Sequence, residues 1–171
     1  QLALADYNKA LQLNPNYADA YVGRGNLYRS SSQLDLALND YSRAVELNPA
    51  DPKGYFNRGS LYQQLGRHDD AISDFNASMT YAPNAFETFN ARGLSYLAIA
   101  DYKAALDDFN EAIKRDRNSA EAWTNQAIAL EKLGEPGKAY NAYARAVTLK
   151  PNYKPAQDGM RRTRGSAASA A

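Results

Sequence analysis

Residues 55–83 read YFNRGSLYQQLGRHDDAISDFNASMTYAP, and this stretch decides the fold of the chain. Apolar and small residues recur at i, i+3, i+4 and i+7 on both sides of a turn at residues 65–67, which predicts two amphipathic helices. Gly59 and Ala71 leave no bulk where the two helices must touch, and neighbouring aromatic residues fill the remaining volume. The stretch is therefore predicted to form a helix–turn–helix unit.

The same unit recurs along the chain with a period of 34 residues. Pro15, Pro49 and Pro83 follow this period, Pro151 lies two periods further on, and Arg117 stands where the intermediate proline would fall. Aligned in the same frame are Tyr21, Tyr55, Phe89 and Trp123; Gly25, Gly59, Gly93 and Ala127; Tyr28, Tyr62, Tyr96 and Leu130; Ala37, Ala71, Ala105 and Ala139; Tyr41, Phe75, Phe109 and Tyr143; and Ala44, Ser78, Ala112 and Ala146. So many columns in one frame indicate a repeat protein.

This pattern resembles the tetratricopeptide repeat, which has an aromatic residue, Gly and Tyr in its first helix and Ala, an aromatic residue, Ala and Pro around its second. The resemblance covers residues 18–151 and is weakest in the fourth copy, at Ala127 and Leu130. It implies an all-α fold, a right-handed superhelical solenoid (α-α superhelix) of stacked antiparallel helix pairs with a concave groove.

The repeat frame also predicts how the chain is divided. The expected segments are the second helix of a truncated repeat at 1–15, four repeats at 18–51, 52–85, 86–119 and 120–153, a polar capping helix at 154–164 and a flexible tail at 165–171. Because the sequence begins within a helical pattern, we expect further residues upstream of Gln1.

One polar column departs from the common repeat pattern, which has Leu before the glycine. Arginine occupies this position in the first three copies, and aspartate precedes the second aromatic residue in the same three copies. Both residues are replaced in the fourth copy. The aligned pairs are Arg24 with Asp40, Arg58 with Asp74, Arg92 with Asp108, and Gln126 with Ala142. The joint loss predicts a salt bridge within each copy. Pairing between copies, with Asp6 on Arg24, explains the joint loss less well, and an anion-binding ladder of arginines is the functional alternative.

Composition argues against several classes of function. The net charge is +1, so no overall field attracts nucleic acid or a membrane surface. There is no Cys and a single His, His68, and no phosphate-binding loop, nucleophile motif or metal-ligand spacing is present. We therefore expect no enzyme activity, no cofactor and no metal site. No apolar run approaches the ~20 residues that span a bilayer.

The resemblance implies that the first helix of each copy lines the groove. The residues predicted to bind a partner there are Asn26, Arg29, Lys53, Phe56, Asn57, Gln63, Glu87, Asn90, Leu94, Leu97, Glu121, Thr124, Ile128 and Glu131. In the second half, Leu94, Leu97 and Ile128 form an apolar floor with a rim of glutamates, which predicts a peptide with an apolar anchor and a basic residue. The alternative is that these three side chains close the local core. A clamp for a C-terminal carboxylate, known in the family, is not expected, because Val22, Glu87 and Ala91 replace its cations.

The predicted function is a non-catalytic scaffold that binds a peptide or protein segment in its concave groove. The partner is expected to be a protein, with neither nucleic acid nor membrane involved. The alternative is a self-associating assembly module, in which the apolar side of the half repeat, formed by Leu4, Tyr7 and Leu11, joins a second copy as a homo-oligomer. The sequence leaves the compartment open. A soluble protein of the bacterial cytoplasm or periplasm, or of an organelle, suits the resemblance.

Overall fold

A computed structural model describes the backbone of residues 2–167 and the side chains as far as Gly165. Within residues 2–167 it consists of ten α-helices joined by short turns. The chain divides into two compact units, Gln1–Pro83 and Asn84–Ala171.

The first unit contains a single helix followed by two helix pairs. Its helices are α1 (Leu2–Leu13), α2 (Ala18–Ser30), α3 (Leu34–Leu47), α4 (Pro52–Gln64) and α5 (His68–Tyr81). Helix α2 packs on α3 and α4 on α5, with further contacts between α1 and α2 and between α3 and α4. A Cβ atom at Gly25 would lie 2.7 Å from Cε1 of the fully buried Tyr41 ring, so only glycine permits this approach of α2 to α3.

The second unit contains two helix pairs followed by a closing helix. Its helices are α6 (Phe86–Ala98), α7 (Tyr102–Arg115), α8 (Ala120–Lys132), α9 (Pro136–Leu149) and α10 (Lys154–Ala167). In the fourth copy Ala127 replaces the glycine of the first helix and shares a core cluster with Tyr143, and the Tyr143 ring also packs against Gly159 of α10, where a Cβ atom would lie 2.2 Å from Cζ. Ala156 and Met160 of α10 thus join the core cluster of the last pair, and the role of this helix as a cap stays a prediction.

The turns inside the four pairs share one backbone geometry. Ser32, Gly66, Ala100 and Gly134 all have positive φ, between 61° and 77°. At the first turn, Ser32 N–H donates to Arg29 O at 3.1 Å and Gln33 N–H to Tyr28 O at 2.8 Å, and the same two bonds recur in the other turns. This is the Schellman arrangement that ends a helix. The serine turn is thus closed by the same two hydrogen bonds as the glycine turns.

The sequence-based description of the fold is largely confirmed. The all-α class and the paired helices are as predicted. Helix α10 continues to Ala167, three residues past the predicted end of the cap, and residues 168–171 of the predicted tail lie outside the described residues. The proposed repeat boundaries stay a prediction. None of the helices within residues 2–167 has the length and apolar character needed to cross a bilayer.

Candidate functional site

The arginine–aspartate pairs form within each copy, as predicted. Arg24 donates from Nε and Nη2 to the two carboxylate oxygens of Asp40, each at 2.7 Å. The equivalent distances are 2.7 and 2.8 Å for Arg58 with Asp74, and 2.8 and 2.6 Å for Arg92 with Asp108. The alternative pairing of Arg24 with Asp6 is wrong, because the third hydrogen bond of Arg24 is donated from Nη1 to Asn8 Oδ1 at 2.9 Å.

Each guanidinium also lies beside two aromatic rings of its own helix. The Cζ atom of Arg24 is 5.5 Å from the ring centre of Tyr21 and 5.7 Å from that of Tyr28. The rings of Tyr55 and Tyr62 flank Arg58 in the same way, and those of Phe89 and Tyr96 flank Arg92. These separations suit cation–π attraction.

The arginines are thus committed to partners inside the protein. The hydrogen bonds that the arginines donate to the aspartates raise the pKa of all three arginines, and burial opposes the shift only in part. Two nitrogens of each guanidinium are taken up by a carboxylate, and the ring contacts cover part of its faces. This arrangement contradicts the anion-binding alternative for these side chains.

The fourth copy keeps only part of this arrangement. Gln126 Nε2 donates to Asn110 Oδ1 at 2.6 Å, which matches the bond of Arg24 to Asn8. The carboxylate is missing because Ala142 replaces the aspartate. A pocket of about 570 Å³ opens at this point between α7, α8 and α9. The loss of the pair is visible in the sequence, but the space that its absence leaves is visible only in the structure.

On the first unit, most of the predicted groove residues bind within the protein. Asn26 Oδ1 accepts from the Tyr41 hydroxyl at 2.7 Å, and Arg29 Nε donates to Gln64 Oε1 at 2.9 Å. The remaining predicted residues of this unit are Lys53, which is exposed; Asn57, which donates to the Lys53 carbonyl; Phe56, whose ring packs near Phe75; and the half-buried Gln63. This surface offers a ligand few uncommitted polar groups.

On the second unit, the predicted apolar floor belongs partly to the core. Leu94 and Leu97 pack against the cluster around Phe109, and Ile128 packs against the neighbouring cluster around Tyr143. The side chains of Leu94, Leu97 and Ile128 nevertheless stay partly exposed. Each of these residues therefore has one side in the core and another facing solvent, and their role in binding a partner stays a prediction.

Two polar members of the second-unit set are tied to their surroundings. Thr124 is only 2% exposed and donates its hydroxyl to the Ala120 carbonyl, so it is a core residue here and not a contact for a ligand. Asn90 Oδ1 accepts from Asn125 Nδ2 at 3.0 Å, which ties the first helices α6 and α8 together.

The predicted glutamate rim is smaller than expected. Glu87 and Glu121 are exposed, and neither forms an ion pair in the part of the chain that the structure describes. Glu131 instead accepts two bonds from Arg162, at 2.9 and 2.7 Å, and one from the Tyr143 hydroxyl at 2.5 Å. These hydrogen bonds lower the pKa of Glu131, and the bonds from Arg162 have the largest effect.

The carboxylate of Glu131 is therefore neutralised internally, which corrects its predicted role in the rim. The sequence-based prediction did not identify Arg162 as the partner of Glu131, although the position of Arg162 in the repeat frame indicates it. It stands 34 residues after Ile128, in the column that lines the predicted groove.

Comparison with protein families supports the repeat interpretation along most of the chain. Models described as TPR repeat or tetratricopeptide repeat match residues 1–28 and 25–66, residues 52–85 and residues 90–154. The chain belongs to the tetratricopeptide repeat family. No curated protein matches it.

Several solved structures share the fold. YrrB, described as a TPR protein with an unusual peptide-binding site, is 22% identical with a TM-score of 0.82, over 94% of this chain and 82% of YrrB. MamA from Desulfovibrio magneticus RS-1 is 20% identical with a TM-score of 0.82, over 90% of this chain and 88% of MamA. The first TPR of Spaghetti (RPAP3), bound to the HSP90 peptide SRMEEVD, is 23% identical with a TM-score of 0.67, over 69% of this chain and 94% of that one. These similarities confirm the predicted fold class, a superhelical solenoid of helix pairs.

Proposed function

We propose that this protein is a non-catalytic scaffold that binds a peptide or protein segment on the first helices of its second unit, α6 and α8. Repeats of this family are protein–protein interaction modules, and two of the similar structures are described as binding peptides. Fold alone does not set function, so the proposal depends on the chemistry of the surface.

The observation that carries the proposal is the face shared by α6 and α8, defined by Glu87, Leu94, Leu97, Glu121 and Ile128. These residues follow helical spacing on two helices that pack together and are joined by the Asn90–Asn125 bond. The apolar side chains keep exposed surface, and two turns before Leu94 and Ile128 on the same helices stand Glu87 and Glu121, which form no ion pair within the part of the chain that the structure describes. Such a face suits a segment that places one apolar side chain on the leucines and a Lys or Arg near Glu87 or Glu121.

The experiment is affinity capture of partners from the source cells, followed by titration of each purified partner with variants. Leu97→Glu should weaken binding at least about tenfold, because it places a charge at the apolar anchor point. Leu36→Glu is the matched control, since Leu36 is an exposed leucine (44%) of α3 in the other unit. Circular dichroism verifies that both variants fold. Equal affinity of the wild type and Leu97→Glu for every partner would reject this face.

One observation favours the alternative of self-association. The predicted side of α1 is largely covered, since Leu4 and Tyr7 are half-buried and Leu11 is 7% exposed, whereas the opposite side carries Leu2 and Leu13 at 85% and 76% exposure. A second copy could cover this apolar side. Light scattering over a concentration series tests the idea. A monomer at every concentration removes it, whereas a dimer that Leu13→Glu dissociates supports it.

A further inference from the structure

The pocket between α7, α8 and α9 stands where the other copies hold their arginine–aspartate pair. Trp123, Leu130 and Ala142 line it, and in the repeat frame they correspond to Tyr21, Tyr28 and Asp40 of the first copy. In that copy the Arg24 guanidinium occupies the space between these groups. In the fourth copy the shorter Gln126 turns to Asn110 and the space stays open.

We propose that this α7–α9 pocket is a second binding site, which accepts an aromatic side chain flanked by carboxylates on a partner polypeptide. It shares no residue with the α6–α8 face, so it goes beyond the function proposed above.

The floor of the pocket suits an aromatic ring. Leu106, Trp123, Leu130 and Ala142 supply mostly apolar surface, and the volume of about 570 Å³ lies in the range of ligand sites. The indole nitrogen of Trp123 already donates to Arg117 O at 3.0 Å, so the ring needs no polar partner from a ligand. An aromatic side chain is the commonest anchor that proteins insert into such pockets.

The charges at the pocket select the flanking groups. Its lining contains two cations, Lys138 and Arg145, and one carboxylate, Glu135. Lys138 forms an ion pair with Glu135, whereas Arg145 is exposed and makes no ion pair among the described residues. The positive charge of Arg145 attracts a carboxylate and repels an incoming guanidinium. A guanidinium would also find no counter-ion in the pocket, because Ala142 replaces the aspartate of the other copies.

The test uses the intrinsic fluorescence of Trp123, the only tryptophan in the sequence. The wild-type protein is titrated with three pentapeptides, acetyl-EDFED-amide, acetyl-EDAED-amide and acetyl-KKFKK-amide. We expect a saturable change with the first, and affinities at least about tenfold weaker for the second, which lacks the ring, and the third, which reverses the charge. No saturable change with acetyl-EDFED-amide, or equal affinity for all three peptides, overturns the proposal.

The chain itself provides the variant that fills the pocket. Gln126→Arg/Ala142→Asp restores the pair found in the other three copies, so it should keep the fold while abolishing the response to acetyl-EDFED-amide. If this double variant fails to fold, Ala142→Leu fills the same space and leaves the Gln126–Asn110 bond in place. Arg145→Gln should reduce the preference for acetyl-EDFED-amide over acetyl-KKFKK-amide without closing the pocket. Undiminished binding by a folded, filled variant contradicts the assignment.

Discussion

Replacement of Asp74 by alanine probes the internal pairs most directly. Asp74 accepts two hydrogen bonds from Arg58, at 2.7 and 2.8 Å, and its side chain is 8% exposed. In Asp74→Ala the guanidinium keeps its two flanking rings and one long contact of 3.4 Å to Ser42 Oγ. A positive charge then remains in a largely enclosed position without its counter-ion.

The expected loss of stability follows from this enclosure. Removing one partner of a buried ion pair costs ~3–5 kcal/mol. The Arg58 side chain is 19% exposed, so water reaches it in part, and we expect a loss of about 2–4 kcal/mol in the free energy of unfolding. Urea unfolding followed by far-UV circular dichroism measures it, with a midpoint lower by roughly 1–2 M if the slope is typical of small proteins.

A double-mutant cycle separates the pair from its surroundings. Arg58→Gln/Asp74→Ala reproduces the residues that the fourth copy carries naturally at Gln126 and Ala142. It should be less destabilised than the sum of its single variants by at least about 1 kcal/mol, because no charge is left uncompensated.

A control on the same helix distinguishes this pair from a surface pair. Asp70 bonds to Arg67 at 2.7 Å, but the two side chains are about half exposed, so Asp70→Ala should cost only about 0–1 kcal/mol. If Asp74→Ala costs no more than Asp70→Ala, or if the cycle is additive, the reasoning about the buried pair fails.

Three further predictions concern a turn, a helix start and an ion pair. Ala100→Gly should stabilise the protein by roughly 0.5–1 kcal/mol, because Ala100 has φ 64°, and thermal unfolding that shows a loss contradicts this. Ser119→Ala should cost about 1 kcal/mol in urea unfolding, because Ser119 Oγ caps α8 by accepting from Ala122 N–H; an unchanged midpoint contradicts the cap. The lowered pKa of Glu131 contributes stability above pH 4.5 that is lost as the pH falls through the folded-state value. Arg162→Gln should therefore reduce the decrease in the free energy of unfolding as the pH falls, measured by urea unfolding at several pH values. Arg161→Gln, which removes an exposed ion pair, should leave this decrease unchanged.

The sequence by itself determined the features that depend on local spacing. The 34-residue period and the spacing of Tyr, Gly and Ala specify paired amphipathic helices, because only matching faces can be buried together. The joint absence of Arg and Asp from the fourth copy identified the partner of Arg58, since a buried charge is retained only with its counter-ion. The turns at Gly66 and Gly134 were also predictable, because glycine is the usual residue at positive φ.

Only the tertiary structure decided which of these side chains remain available. Ala100 adopts the same turn without glycine, because the two flanking helices impose its backbone conformation. Glu131 was expected to be free, but Arg162, 31 residues away, binds it once α10 packs on α8. The α7–α9 pocket likewise depends on the volume that several distant side chains leave unfilled. Burial, ion pairing and empty space depend on which side chains are neighbours in three dimensions. The repeat period aligns equivalent positions but does not specify these neighbours.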